Sequence, residues 1–184
     1  MNRCIIISGG PGAGKTALVA ALSAAGYPCF DEVSRQMIRE QRACGGELFP
    51  WADMAGFVEA CLTHMARQPE EARAHRLSFF DRGVPDLIGY LYYRGLVPSP
   101  ELLARATDYT PLVFMAPPWR EIFVNDAERP QTFEEAAAIH RELCRAYREC
   151  GFTLLTLPLA TVAARVVFVQ RALANTPAAY AGAT

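Results

Sequence analysis

Residues 9–16 read Gly9-Gly10-Pro11-Gly12-Ala13-Gly14-Lys15-Thr16, which is the complete GxxxxGK[ST] phosphate-binding pattern. Glycines let the backbone curl so that successive N–H groups point inward, and the helix that follows adds unpaired N–H groups at its positive end. Lys15 is expected to reach the β- and γ-phosphates of a nucleoside triphosphate, and the Thr16 hydroxyl to coordinate Mg²⁺. The pattern therefore predicts a nucleotide site formed by Gly10, Gly12, Ala13, Gly14, Lys15 and Thr16.

A second candidate group follows an apolar run that ends in a carboxylate, Leu77 to Asp81. A carboxylate at the end of a buried strand can lie beside the phosphate loop and hold Mg²⁺ or its water shell, which makes Asp81 the natural partner of Thr16. Arg82 follows at once and is expected to neutralise phosphate charge. The alternative is that Asp81 only caps the next helix, whose first turn contains Pro85 and Asp86.

The elements that must position these residues alternate along the chain. Strand-like runs lie near residues 3–8, 27–31, 77–81, 111–116 and 152–157. Helical patterns separate them, at 15–25, 33–43, 53–67, 84–94, 100–107, 161–174 and between Thr132 and Gly151. This alternation predicts βαβ units around a parallel sheet, with the helical segment between the second and third strands capping the crevice where ligands bind.

The best-marked helix begins after Gln131. Thr132 and Glu135 have the spacing of a capping box, and Gly151 is expected to end the helix. The pattern predicts one buried face made of Phe133, Ala136, Ala137, His140, Leu143, Cys144 and Tyr147.

Size and composition limit the class of protein. The 184 residues, 52% of them apolar, predict one domain over residues 1–174 and a frayed tail over 175–184. The formal net charge is −1 with both signs interspersed, which argues against a nucleic-acid or anionic-membrane surface. The six cysteines form no CxxC pair and are expected to be reduced thiols. The start lacks a signal-peptide pattern and no segment approaches the ~18 apolar residues of a membrane span, so we expect a cytoplasmic protein.

The stretch FFDRGVPD at residues 79–86, together with the phosphate loop and Asp126-Ala127-Glu128-Arg129, resembles the small kinase-type P-loop ATPases often labelled AAA-domain proteins. These are similar in layout to nucleoside and nucleotide kinases and to the ribosylnicotinamide kinase domain of the bacterial NAD regulator. The resemblance covers nearly the whole chain. It implies a three-layer α/β fold with a five-stranded parallel sheet in order 2-3-1-4-5, and phosphoryl transfer from ATP with Mg²⁺ to a small-molecule acceptor. Dimers are common among similar kinases, which leaves a homodimer open.

The same resemblance assigns a role to Glu32, at the end of the second strand. In deoxynucleoside kinases a glutamate near this position accepts the proton of the acceptor hydroxyl, so Glu32 is the candidate base, with Asp31 as its rival. The alternative is that both carboxylates merely cap the helix that begins near Ser34.

Residues 117–130 occupy the place where related kinases keep a mobile LID that bears arginines. Arg120 and Arg129 are expected to close over the phosphates and stabilise transition-state charge. The alternative for Arg129 is a solvent-exposed pair with Asp126 or Glu128, worth ~0 to 1 kcal/mol.

The helical insertion carries aromatic residues at Phe49, Trp51 and Phe57, preceded by Arg35 and Arg39. Aromatic walls with a few polar groups suit a nucleoside-like pocket, although aromatics at helical spacing also suit a core. The sequence favours a kinase, and it leaves two alternatives open: an NTPase switch that needs no acceptor, and a nucleotide-sensing regulatory protein.

Overall fold

The computed structural model describes residues 2–124 and 131–175. Its sheet has five parallel strands in the order β2-β3-β1-β4-β5. The strands are β1 (Arg3–Gly9), β2 (Cys29–Phe30), β3 (Leu77–Asp81), β4 (Leu112–Ala116) and β5 (Thr153–Thr156). The predicted fold class and strand order are therefore confirmed.

Eight α-helices are described in these residues, and they cover both faces of the sheet. They are α1 (Lys15–Ala24), α2 (Val33–Cys44), α3 (Met54–Met65), α4 (Gln68–Ala72), α5 (Val84–Tyr93), α6 (Pro100–Arg105), α7 (Phe133–Glu149) and α8 (Val162–Asn175). Within the described ranges, none of these helices is both long and apolar enough to cross a membrane. The predicted tail begins at the last residue of α8, and its residues 176–184 lie outside the described part.

The alternation of side chains along β1 divides the core into two layers. Ile6 joins a cluster with Phe80 on the face covered by α2, α3, α5 and α7. Ile5 and Ile7 join the opposite cluster, on the face covered by α1 and α8. Successive strand side chains point to opposite faces, so an unbroken apolar strand requires cover on both sides. This gives the three-layer arrangement.

Two local predictions need correction. Strand β2 has two residues rather than the predicted five, because this edge strand pairs with β3 only at Cys29 and Phe30. The buried face of α7 is rotated from the predicted one and consists of Ala136, Ile139, Leu143, Ala146 and Tyr147. The rotation brings α7 against α5, where a Cβ on Gly89 would lie 2.9 Å from the Leu143 Cα.

The start of α7 follows the prediction. The Thr132 hydroxyl accepts a hydrogen bond from the Glu135 N–H at 3.2 Å, and the Thr132 N–H donates to the Glu135 carboxylate at 2.7 Å. The capping box is therefore present, and it fixes where the chain re-enters the helical layer after β4.

Candidate functional site

The phosphate loop joins β1 to α1, so it lies at the carboxyl edge of the central strand. Gly12 and Gly14 have left-handed backbones, with φ of 72° and 79°. Lys15 is only 3% exposed, and its Nζ donates to the Gly10 carbonyl at 2.8 Å. Burial, together with the Arg82 charge, lowers the pKa of Lys15 to about 7, although the nearby carboxylates oppose the shift. The Lys15 ammonium group is therefore bound to the backbone of the phosphate loop itself.

The predicted magnesium pair meets beside the loop. The Thr16 hydroxyl donates to Asp81 Oδ2 at 3.3 Å, and β3 brings Asp81 level with Ile7 of β1. Asp81 is 4% exposed, and its Oδ1 has no hydrogen-bond partner among the described residues. Burial, then the Glu32 charge, raises the pKa of Asp81 to about 6. A buried carboxylate oxygen with no partner is a ready metal or water ligand.

The donor set at this position fits Mg²⁺ rather than a metal held by protein ligands alone. Within residues 2–124 and 131–175, no group of three or more His, Cys, Asp or Glu side chains could hold a metal ion. Mg²⁺ is usually bound through one or two carboxylates plus substrate phosphates. Thr16 and Asp81 would supply the protein share of such a site.

Arg82 lies at the centre of a buried ion-pair network. It is 2% exposed and, within the described residues, is the only non-glycine residue with a left-handed backbone, at φ 75°. Its Nε donates to Glu32 Oε1 at 2.9 Å and its Nη1 to Asp86 Oδ1 at 2.8 Å. The guanidinium thus joins a carboxylate that follows β2 to one in the first turn of α5.

Asp86 anchors that network, a role that the sequence analysis missed by treating it as a helix-terminus charge. Its Oδ1 also accepts from the Ser8 hydroxyl at 2.7 Å, and its Oδ2 accepts from the Gly83 N–H at 3.0 Å and from the Tyr147 hydroxyl. Both oxygens are thus fully used. The only sequence signal was the position of Asp86 in the first turn of α5.

Glu32 is held as an ionised group. Burial alone would raise its pKa, but the Arg82 and Lys15 charges and the Ser34 hydrogen bond outweigh burial and lower the pKa to about 2. Glu32 occupies the N-cap position of α2, yet its side chain makes no capping hydrogen bond. The rival Asp31 is exposed, and its carbonyl accepts from Gln68 at 3.3 Å. The geometry therefore favours Glu32 over Asp31 as the group that faces the site.

A pocket opens from this network into the helical insertion. Its lining includes the charged residues Glu32, Arg82 and Asp86, together with Pro11 of the phosphate loop. Its apolar wall contains Ile38, Trp51, Met54, Phe57, Val58, Met65, Leu87 and Tyr90. Trp51 is half exposed and stacks on Phe49 with ring centres 4.8 Å apart, whereas Phe57 is also part of the core.

The described part of the LID-like segment contacts the phosphate loop through apolar side chains. A Cβ on Gly12 would lie 2.5 Å from the Phe123 ring, and Ile122 and Val124 line a groove with Gly14, Lys15 and Thr16. Arg120 is exposed, pairs with Glu134 at 2.8 Å and lies 4.1 Å over the Phe133 ring. Its approach to phosphates stays a prediction. Arg129, with Asp126 and Glu128, lies outside the described residues.

Arg165 on α8 is a further residue at the loop that the sequence analysis missed. It is 2% exposed, and its Nη1 donates to the Ala13 carbonyl at 2.8 Å. The signal that could have found it is an isolated charge in the apolar run 162–169.

Three solved structures illustrate the likeness of this fold to known ones. The chain is similar to deoxyadenosine kinase from M. mycoides at 16% identity, with 94% of this chain and 100% of that chain covered and a TM-score of 0.66. It is similar to NadR in complex with NR at 17% identity, with 100% and 52% covered and a TM-score of 0.70. Thymidylate kinase from Candida albicans gives 11% identity, 94% and 91% coverage and a TM-score of 0.66.

At these identities the likeness shows the fold alone, which is that of the nucleoside- and nucleotide-kinase-like P-loop proteins. No curated protein matches the chain. The AAA domain family model matches residues 4–165, which contain the phosphate loop, the Asp81–Arg82 pair and all of the sheet except Arg3. Because this match spans most of its length, the chain belongs to the AAA domain family.

Proposed function

We propose that this protein is an ATP- and Mg²⁺-dependent kinase that transfers a phosphoryl group to a hydroxyl of a small, nucleoside-like acceptor. The observation that carries the proposal is the shared boundary between the phosphate loop and the cavity. Pro11 of the loop and the Glu32–Arg82 pair all line that cavity. An acceptor bound there would therefore lie next to the loop that holds the phosphates.

In this proposal each charged residue has one task. The loop amides and Lys15 bind the triphosphate, and Thr16 and Asp81 hold Mg²⁺. Bound Mg-ATP supplies the transferable phosphoryl group. Arg82 neutralises charge from the acceptor side, and Arg120 and Arg129 would do so from the LID. Such positioning and neutralisation account for most of the catalysis of phosphoryl transfer.

Glu32 orients the acceptor in this scheme more than it removes a proton. An efficient general base has a pKa near the working pH, and the pKa of about 2 makes Glu32 a weak one. An ionised carboxylate is nevertheless a strong hydrogen-bond acceptor. Glu32 would thus hold the hydroxyl in line with the phosphoryl group. The hydroxyl proton would pass to water late in the transfer, as the new O–P bond forms and the bond to the ADP oxygen breaks.

The charge pattern of the cavity favours a hydroxyl acceptor over a phosphorylated one. Arg82 is the only basic residue among the described residues that line the cavity, and two carboxylates already engage it. A nucleoside monophosphate would have to compete with both for the guanidinium. The apolar wall with Trp51 and Tyr90 suits a planar ring. NR in the NadR structure is one ligand to include in a test.

The test is Mg-ATP consumption by the purified protein over a panel of nucleosides, nucleoside monophosphates, NR, shikimate and other small alcohols. Mass spectrometry would look for a product heavier by one phosphate, and Lys15→Ala is the matched inactive control. A phosphorylated nucleoside supports the proposal. ATP loss that no acceptor changes would favour an NTPase switch, and tight ATP binding without turnover would favour a nucleotide sensor.

A further inference from the structure

Arg165 is a buried positive charge that has no acidic partner in the described part of the chain. Its Nε donates to the Pro158 carbonyl at 2.9 Å and its Nη1 to the Ala13 carbonyl at 2.8 Å. The guanidinium carbon lies 5.1 Å from the centre of the Trp119 ring. Its Nη2 is buried and has no hydrogen-bond partner in residues 2–124 and 131–175. All these contacts are neutral.

This arrangement is costly for the protein alone. A buried charge normally pairs with an opposite charge, because neutral hydrogen bonds repay only part of its lost hydration. Arg165 also lies one turn from the positive end of α8, which adds a small unfavourable interaction. A negative charge that arrives with a ligand at the adjoining loop would supply what the described residues lack.

The contact with Ala13 determines how one peptide of the phosphate loop is oriented. In a planar trans peptide the C=O and N–H point in opposite directions. The Ala13 carbonyl faces Arg165, so the Gly14 N–H faces away from α8. A Cβ on Gly14 would lie 3.2 Å from Arg165 Nη1, which indicates how closely the guanidinium packs behind the loop.

We propose that Arg165 is a positioning residue for the nucleotide. It holds the Ala13–Gly14 peptide so that the Gly14 N–H is presented to the triphosphate, and the bound triphosphate balances its charge. Through Pro158 and Trp119 it also ties the loops after β5 and β4 to the phosphate loop. This inference rests on the proposed function only in requiring that the loop binds a nucleoside triphosphate; it does not depend on the acceptor.

The test compares Arg165→Met and Arg165→Lys with Arg171→Met, an exposed arginine on the same helix. Calorimetry gives the Kd for Mg-ATP and for Mg-tripolyphosphate, which lacks the nucleoside, and denaturant titration gives the stability of each variant. We expect Arg165→Met to weaken both ligands by about tenfold or more, which corresponds to about 1.4 kcal/mol. Arg165→Lys should recover part of the loss because it keeps the charge, and Arg171→Met should bind as the wild type does.

The outcomes separate this inference from the proposed function. A folded Arg165→Met protein that binds both ligands within twofold of wild type would overturn the inference and leave the kinase proposal intact. Wild-type protein that binds neither ligand would overturn both. If Arg165→Met does not fold, Arg165→Lys serves as the test. A single ammonium group cannot reproduce the two guanidinium hydrogen bonds to the Ala13 and Pro158 carbonyls. Wild-type affinity in Arg165→Lys would therefore overturn the positioning role.

Discussion

Replacing Asp81 by Asn should stabilise the ligand-free protein while it removes magnesium-dependent activity. Asp81 is a buried carboxylate placed to bind a ligand. It is 4% exposed, and one of its oxygens has no hydrogen-bond partner within the described part of the chain. The folded protein therefore holds its charge at a cost that the unfolded chain does not bear. A stabilising substitution at a residue that activity requires is the expected result of such a trade.

The magnitude follows from the shift in the Asp81 pKa, from 3.8 to about 6. At 1.36 kcal/mol per pKa unit, the ionised group costs up to about 3 kcal/mol above pH 7. A buried Asn amide without hydrogen-bond partners also costs free energy, which offsets part of this gain. We therefore expect Asp81→Asn to raise the free energy of unfolding by about 1 to 3 kcal/mol.

The sign of the pH dependence is opposite to that of an ordinary paired carboxylate. Because the folded pKa lies above the unfolded one, the folded state takes up its proton first as the pH falls. The Asp81 contribution to stability therefore rises as the pH falls through 6, by about 1 kcal/mol between about pH 7.5 and about pH 5. Asp81→Asn should lack this contribution, so the wild-type-minus-variant difference in the pH dependence isolates it from other titrating groups.

Urea unfolding of both proteins without nucleotide or Mg²⁺ measures these differences, and Asp86→Asn is the matched contrast. Asp86 uses both oxygens in buried hydrogen bonds with Ser8, Arg82, Gly83 and Tyr147. In Asp86→Asn the amide NH₂ would face groups that are themselves hydrogen-bond donors. This should lower the free energy of unfolding by about 3 to 5 kcal/mol. If Asp81→Asn were destabilised to a similar extent, the reasoning that Asp81 is a strained, ligand-seeking anion would be wrong.

Lys15→Ala should reduce ATP turnover by about 10³-fold or more while the circular dichroism spectrum stays native, because the loop loses its point charge on the phosphates; near-normal turnover in a coupled assay would refute the nucleotide site. Glu32→Gln should slow phosphoryl transfer much more than it weakens Mg-ATP binding measured by calorimetry, whereas equal losses would indicate a structural role. Trp51→Ala should raise the KM of a nucleoside-like acceptor by about tenfold with the KM of ATP unchanged, since the ring loses its stacking surface; a parallel rise in both would place Trp51 outside acceptor binding.

The sequence correctly predicted the features that depend on residues close together along the chain. The phosphate loop, the Thr132 capping box and the apolar run of β1 are each decided within a few residues, and the structure has all three. Strand order also followed, because the family resemblance supplied a topology that short strands alone do not determine. The length of β2 was wrong because an edge strand depends on how far its neighbour pairs with it.

The parts that escaped prediction depend on contacts between distant segments. Arg82 was expected to face phosphates, and its engagement by Glu32 required knowing that β2 lies beside β3. The link from Arg165 to Ala13 joins residues separated by 152 positions, so the isolated charge of Arg165 in its apolar run does not indicate which segment it contacts. The LID role of Arg120 and Arg129, the cytoplasmic location and the homodimer stay predictions.

The contacts of the ligand-free site divide its residues into those that must change partners and those that need not. Lys15 would have to leave the Gly10 carbonyl to reach a phosphate, and Thr16 would have to share Asp81 with the metal. Each exchange gives up a hydrogen bond worth about 1 kcal/mol, which the charge-assisted contact to phosphate exceeds. Asp86 holds the Gly83 N–H and Arg165 holds the Ala13 carbonyl, and neither would have to change partners for a nucleotide to bind. Lys15 and Thr16 can thus exchange partners for a ligand because Asp86 and Arg165 keep the surrounding backbone in place.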